Sequence, residues 1–133
     1  ALEVAAVNRQ LHGLDDRLML VRANLLAGLR GPFDLVLSNP PYVPESDSAS
    51  LPAEYAHEPG LGLYSGRDGL DCARRILQDA ASCMAGDGLL ALEVGAGWAD
   101  FERAVPTLPI IWPEFERGGE GIALLRAEDL RKS

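Results

Sequence analysis

The chain has 133 residues, with 12 lysines and arginines against 20 aspartates and glutamates, a formal net charge of −8. Apolar residues make up 47% and charged residues 24%, ordinary globular usage that excludes wholesale disorder and fibrous classes. Apolar runs such as Gly88-Leu-Leu-Ala-Leu92 are too short for a transmembrane helix. The length suits one compact domain or a piece of a larger one. The acidic balance argues against affinity for nucleic-acid phosphates and suits a basic protein partner. No basic stretch followed by an apolar run opens the chain as a secretory leader does.

Ala1 to about Leu11 carries apolar residues at 4, 7 and 11, one face of a helix, and His12-Gly13 follow as a stop. Arg17-Leu-Met-Leu-Val-Arg22 reads as a short buried strand. Phe33-Asp-Leu-Val-Leu-Ser38 is a clearer strand, between the Gly31-Pro32 breaker and Asn39-Pro40-Pro41. Residues 43 to 67 lack periodicity and hold Pro44, Pro52, Pro59, Gly60, Gly62 and Gly66. A stretch of that length without regular structure in a compact domain is usually functional. From Asp68 or Gly69 to about Met84, apolar residues at 70, 73, 76, 77, 80 and 84 predict a helix.

Gly86-Asp87-Gly88 is a turn into a third strand, Leu89 to Val94. A short helix over 98–105, a strand over Ile110–Trp112, a Gly118-Gly119 turn and a strand over Gly121–Leu125 complete the chain. Strands alternating with helices predict an α/β domain with a mostly parallel sheet, and the last two strands an antiparallel edge hairpin. Cys72 and Cys83 on one helix would stand roughly 16 Å apart, beyond disulfide reach. They read as buried thiols of a reducing compartment, which points to a cytoplasmic protein. Two cysteines and two histidines, widely scattered, make no zinc site, so no metal is expected.

Chemistry concentrates at Ser38-Asn-Pro-Pro-Tyr-Val43, directly after a strand, where open α/β sheets bind ligands. As a turn alone the string is plausible, since Asn and Pro favour turns. At average usage, however, Asn-Pro-Pro-Tyr should occur by chance in on the order of one such chain in a few thousand. Two prolines fix φ and remove two N–H donors, leaving carbonyl oxygens; Asn39 adds a side-chain acceptor and Tyr42 an aromatic face. A planar –NH2 group could donate to the Asn39 side chain and the Pro40 carbonyl while Tyr42 packs on the attached plane.

This string resembles the signature of S-adenosylmethionine-dependent amino methyltransferases, shared by adenine-N6 nucleic-acid methylases and glutamine-N5 protein methylases. The longer stretch Phe33–Val43 is similar to the glutamine-N5 family, as are Glu58-Pro59, Gly66-Arg-Asp-Gly-Leu-Asp71 and Leu92-Glu-Val-Gly95. Leu51-Pro-Ala-Glu-Tyr-Ala-His-Glu-Pro-Gly-Leu-Gly-Leu63 and Glu114-Phe-Glu-Arg-Gly-Gly-Glu-Gly-Ile122 resemble the branch that modifies large-subunit ribosomal protein three, rather than the release-factor branch. The resemblance covers essentially the whole chain. It implies a Rossmann-like class I methyltransferase fold with strand order 3-2-1-4-5-7-6, S-adenosylmethionine as cofactor, and a glutamine of a basic ribosomal protein as substrate. Direct nucleic-acid binding and a membrane partner are not implied. The alternatives are a release-factor methyltransferase and, with less support from a chain lacking basic clusters, an adenine-N6 methyltransferase.

Carried over by position, Asn39, Pro40, Pro41 and Tyr42 match the clamp on the substrate amide. Arg22-Ala-Asn-Leu-Leu26 matches the turn that contacts adenine: Asn24 stands where Asp is usual, and Leu25 would pack the ring. Asn39 also contacts cofactor in this scheme. His57 and Glu58 are either a solvated loop pair or residues on the side where the peptide enters. The family's Gly-rich cofactor loop and the acidic residue after its second strand have no counterpart here. Gly95-Ala-Gly97 is the nearest mimic and reads as a strand-to-helix turn. Residues 1–133 are therefore expected to be the carboxyl-terminal part of one catalytic domain lacking its first two strands, inactive alone. Such a piece would self-associate through the exposed edge of the Phe33–Ser38 strand, or rearrange its first 30 residues to cover it.

Overall fold

The computed structural model describes residues 1–49 and 59–132. Among them run helix α1 (Leu2–Leu11), strand β1 (Phe33–Ser38), helix α2 (Asp71–Cys83), strand β2 (Met84–Glu93), helix α3 (Trp98–Ala104), strand β3 (Ile122–Arg126) and the short helix α4 (Ala127–Leu130). Single 3-10 turns occupy Glu45–Ala49, Gly60–Gly62 and Gly95–Gly97. The sheet order is β1-β2-β3, with β1 and β2 parallel and β2 and β3 antiparallel. Ile111 bridges to Leu124 on β3, antiparallel, through two hydrogen bonds of 3.0 and 2.9 Å. The arrangement is mixed α/β and compatible with part of a Rossmann-like methyltransferase fold.

Strand periodicity divides the sheet into two unlike faces. Val36, Leu90, Leu92, Ala123 and Leu125 point one way and are buried with Ala73, Ile76, Leu77 and Ala80 of α2, Phe101 of α3 and Leu130 of α4. The apolar stripe of α2 has the spacing that puts those four residues on one side. On the opposite face Leu35 and Leu37 are 53% and 72% exposed, and Leu89, Ala91, Glu93, Ile122 and Leu124 are half-buried. Both cysteines are free, and burial raises the pKa of Cys83 above the usual thiol range.

α2 begins two or three residues later than the sequence suggests, because Ser65 and Asp68 supply its first bonds. The Ser65 hydroxyl, 2% exposed, accepts from the Cys72 amide at 2.7 Å, and the Asp68 carboxylate accepts from the Leu70 amide at 3.1 Å. β2 begins earlier than expected, at Met84, where the backbone turns extended directly after α2. Gly86-Asp87-Gly88 is thus inside the strand, not a turn before it. The pairing jumps from Phe33–Met84 to Leu35–Leu89, two residues along β1 against five along β2, so the glycines form a bulge. A β-carbon on Gly88 would lie 2.9 Å from the Phe33 carbonyl oxygen.

Two expected strands do not form as such. Residues 14–18 make turns and 18–23 have no regular structure, with Leu18, Met19 and Val21 42%, 83% and 51% exposed. A strand exists only through a neighbour, and β1 pairs with β2 alone. The strand expected over Ile110–Trp112 reduces to the single Ile111 bridge, since Pro109 and Pro113 bracket it and lack amide donors. The antiparallel contact expected of that hairpin is nevertheless present.

Candidate active site

Asn39 is the first residue beyond β1, and Glu93 is the last of β2. Ser38 pairs with Leu92 in parallel register, so these two side chains leave the sheet at the same edge. Together with Leu37, Ser38, Ala91 and Ile122 they line an open cleft of about 250 Å³. Asn39 is exposed, and among the described residues neither Asn39 nor Glu93 makes a side-chain hydrogen bond or ion pair. Both therefore face the cleft with their acceptor oxygens uncommitted.

The turn after Asn39 is held from three sides. Pro40 is buried and Pro41 half-buried, which anchors the rigid dipeptide. Val43 and residues 63–66 pair as a short parallel ladder: the Val43 amide donates to the Leu63 carbonyl at 3.0 Å, and the Ser65 amide to the Val43 carbonyl at 3.1 Å. Gly69, at φ +77°, leaves room for the Tyr42 carbonyl, with which a β-carbon would collide. Part of the 43–67 stretch is thus structured backing for the turn. Residues 50–58, with His57 and Glu58, lie outside the described residues.

Tyr42 rests on Gly95. A β-carbon at Gly95, φ +57°, would fall 2.8 Å from the Tyr42 ring. One layer further, a β-carbon at Gly121, φ +79°, would collide with the Gly95 carbonyl, and the Val94 amide donates to the Gly121 carbonyl at 2.8 Å. Two glycines stacked under one aromatic ring bring the turn after β1, the end of β2 and the start of β3 together. Gly95–Gly97 is a strand-to-helix turn leading into α3, as expected.

Glu93 is the site residue that sequence reading passes over as a site residue. Its signal was the parallel arrangement itself: two neighbouring parallel strands, each ending in a polar residue, place both side chains in one crevice. Asn24 and Leu25 stand elsewhere among the described residues. Asn24 is exposed, and Leu25, at φ +55°, packs half-buried against the core; neither lines the cleft. The cleft accommodates a side-chain amide. It is smaller than the roughly 300 Å³ at which pockets for drug-sized ligands begin, so the residues present do not by themselves fit a whole nucleoside cofactor. Among the described residues no cluster of three or more His, Cys, Asp and Glu could hold a metal ion. Among those residues no helix is long and apolar enough to cross a membrane.

No family model matches the chain. It is 45% identical over 130 residues, 98% of its length, to the ribosomal protein uL3 glutamine methyltransferase of Neisseria gonorrhoeae. Proteins of the same name from Bordetella pertussis and Francisella tularensis are 44% and 41% identical over 131 and 133 residues. The chain is a homologue of these glutamine methyltransferases. The resemblance carried by the Asn39–Tyr42 string is thereby borne out, and with it the ribosomal-protein branch indicated by Leu51–Leu63 and Glu114–Ile122. The chain spans 42–44% of the length of these relatives.

Proposed function

We propose that this chain is the amide-holding, carboxyl-terminal part of a protein glutamine-N5 methyltransferase whose substrate is ribosomal protein uL3. One observation carries the reading: Asn39-Pro-Pro-Tyr42 leaves a strand beside Glu93, giving a cleft whose polar lining presents acceptors to a primary amide. The two N–H groups of a glutamine side chain donate to the Asn39 Oδ1 and the Pro40 carbonyl. The Glu93 carboxylate, which cannot donate while ionised, turns the amide so that nitrogen and not oxygen faces inward. Tyr42 covers the amide plane.

An amide nitrogen is a weak nucleophile because its lone pair is delocalised into the carbonyl. Acceptors on both hydrogens return density to nitrogen, a nearby carboxylate favours the positive charge that develops there, and the surplus N–H proton then leaves to water or a carbonyl. Positioning supplies most of the remainder. S-adenosylmethionine supplies the methyl group when bound. As the resemblance implies, Asn24 and Leu25 would hold its adenine and Asn39 would contact the cofactor as well. The larger share of its site belongs to parts of the longer protein outside residues 1–133. The reaction then belongs in the cytoplasm, on the ribosomal protein before assembly.

Transfer of labelled methyl groups by the full-length protein to isolated uL3 tests this. We expect the label in glutamine, with Asn39→Ala lowering turnover roughly a hundredfold, the usual cost of one oriented contact in such a site. Cofactor binding should weaken much less. Near-normal turnover of that variant would remove Asn39 from its role, and label in adenine or in a release factor would replace the substrate.

A further inference from the structure

A second cavity opens on the same edge of the sheet. Trp98, at the start of α3, and Trp112 meet edge to face, centroids 5.8 Å apart and planes at 67°. With Pro113, Glu114, Glu120 and Ile122 they enclose an open cavity of about 440 Å³. Ile122 lines the amide cleft as well, so the two cavities adjoin through one side chain. The corner is built rather than incidental. The Trp112 indole N–H donates to the Glu102 carboxylate at 3.2 Å, and Phe101 packs edge to face on Trp112 at 6.4 Å. Trp98, by contrast, is 42% exposed, although a free indole face costs burial energy.

The cavity walls combine aromatic faces with carboxylates and include no lysine or arginine. Among the described residues neither Glu114 nor Glu120 makes an ion pair or hydrogen bond. Aromatic faces attract cations, and a planar guanidinium can stack on indole while donating in-plane to carboxylates. We infer that this cavity is a subsite for a cationic side chain, arginine by preference, that flanks the target glutamine in the substrate polypeptide. The inference rests on the glutamine-methyltransferase reading and adds to it: the enzyme selects its glutamine through a charged neighbour as well as through the amide. An overall charge of −8 would draw a basic protein in, whereas this corner would fix which residue of it lands at the cleft.

The experiment uses the full-length protein and short glutamine-centred peptides in which one arginine is stepped through each flanking position on a neutral background. Binding is followed by tryptophan emission and methylation by label transfer. Arginine at one position should tighten binding about tenfold, lowering KM with kcat nearly unchanged. That gain should vanish in Trp98→Ala and in the double variant Glu114→Gln/Glu120→Gln, both of which should still methylate the arginine-free peptide at the parental rate. An equal gain at every position would reveal only general electrostatic attraction and overturn the subsite. A positional gain that survives both variants would overturn it too. Failure of the reading itself looks different: no peptide is methylated, or Asn39→Ala leaves methylation of the arginine-free peptide intact.

Discussion

Gly95 shows how closely two segments can pack where a side chain is missing. Its φ of +57° favours glycine, and its contact with the Tyr42 ring leaves no room for a β-carbon. Gly95→Ala should cost about 1–3 kcal/mol of stability through strain alone and should lower turnover further by displacing Tyr42. Chemical denaturation paired with kinetics separates the two, and an unaffected kcat would mean that Tyr42 need not sit where it does. Glu93→Gln keeps the shape of the cleft but adds a donor. It should slow methylation of the full-length enzyme about tenfold, because a glutamine amide can then be held in the reversed orientation. A rate equal to that of the parent would make Glu93 a spectator. At this scale Asn39-Pro-Pro-Tyr42 stands out in the sequence because each member brings its chemistry with it. That Glu93 and Gly95 lie beside it does not, since that neighbourhood exists only where β1 and β2 run side by side.

Among the elements, the α2–β2 unit was the most readable, its helix declared by apolar spacing and its strand by Leu89–Val94. Its boundaries were not, because they are set by tertiary bonds. Arg131 donates to the Ala81 carbonyl at 3.0 Å and the Met84 carbonyl at 2.6 Å, closing the carboxyl end of α2 where the chain passes without a loop into β2. Arg131→Ala should therefore lose about 1.5–3 kcal/mol of unfolding free energy in urea, the range for hydrogen bonds that involve a charged group. At the other end of α2, Arg74 pairs with Asp68 at 2.6 Å and lowers the Asp68 pKa from 3.8 to about 2, helped by the Leu70 amide. The stabilisation is fully present above pH 3.8 and is lost as pH falls towards 2. Half-exposed and screened by water, the pair contributes little, so the effect is a slight steepening of acid unfolding that Asp68→Asn abolishes. A parental acid limb in that variant would contradict the assignment. The Arg17–Arg22 segment teaches the converse lesson: an apolar run bounded by charge is a strand only when something pairs with it.

At the scale of the fold, packing among the described residues is one-sided. Helices α2, α3 and α4 cover one face of the sheet, while Leu35 and Leu37 lie open on the other and β1 forms an edge. Residues 1–133 produced alone should associate through that edge and face, and should bind S-adenosylmethionine hardly at all. Light scattering and calorimetry would show it; a clean monomer with micromolar cofactor affinity would place the cofactor site within this chain after all. The same asymmetry dictates how the molecule breathes. β2 is paired on both sides and carries Leu90 and Leu92, each 0% exposed, whereas α1 has no buried residue at all. In deuterium oxide the amides of α1 should exchange within the dead time. Those of Leu90 to Leu92 should wait for the opening of the entire domain, so that one strand keeps the record of global unfolding while the first helix records almost nothing.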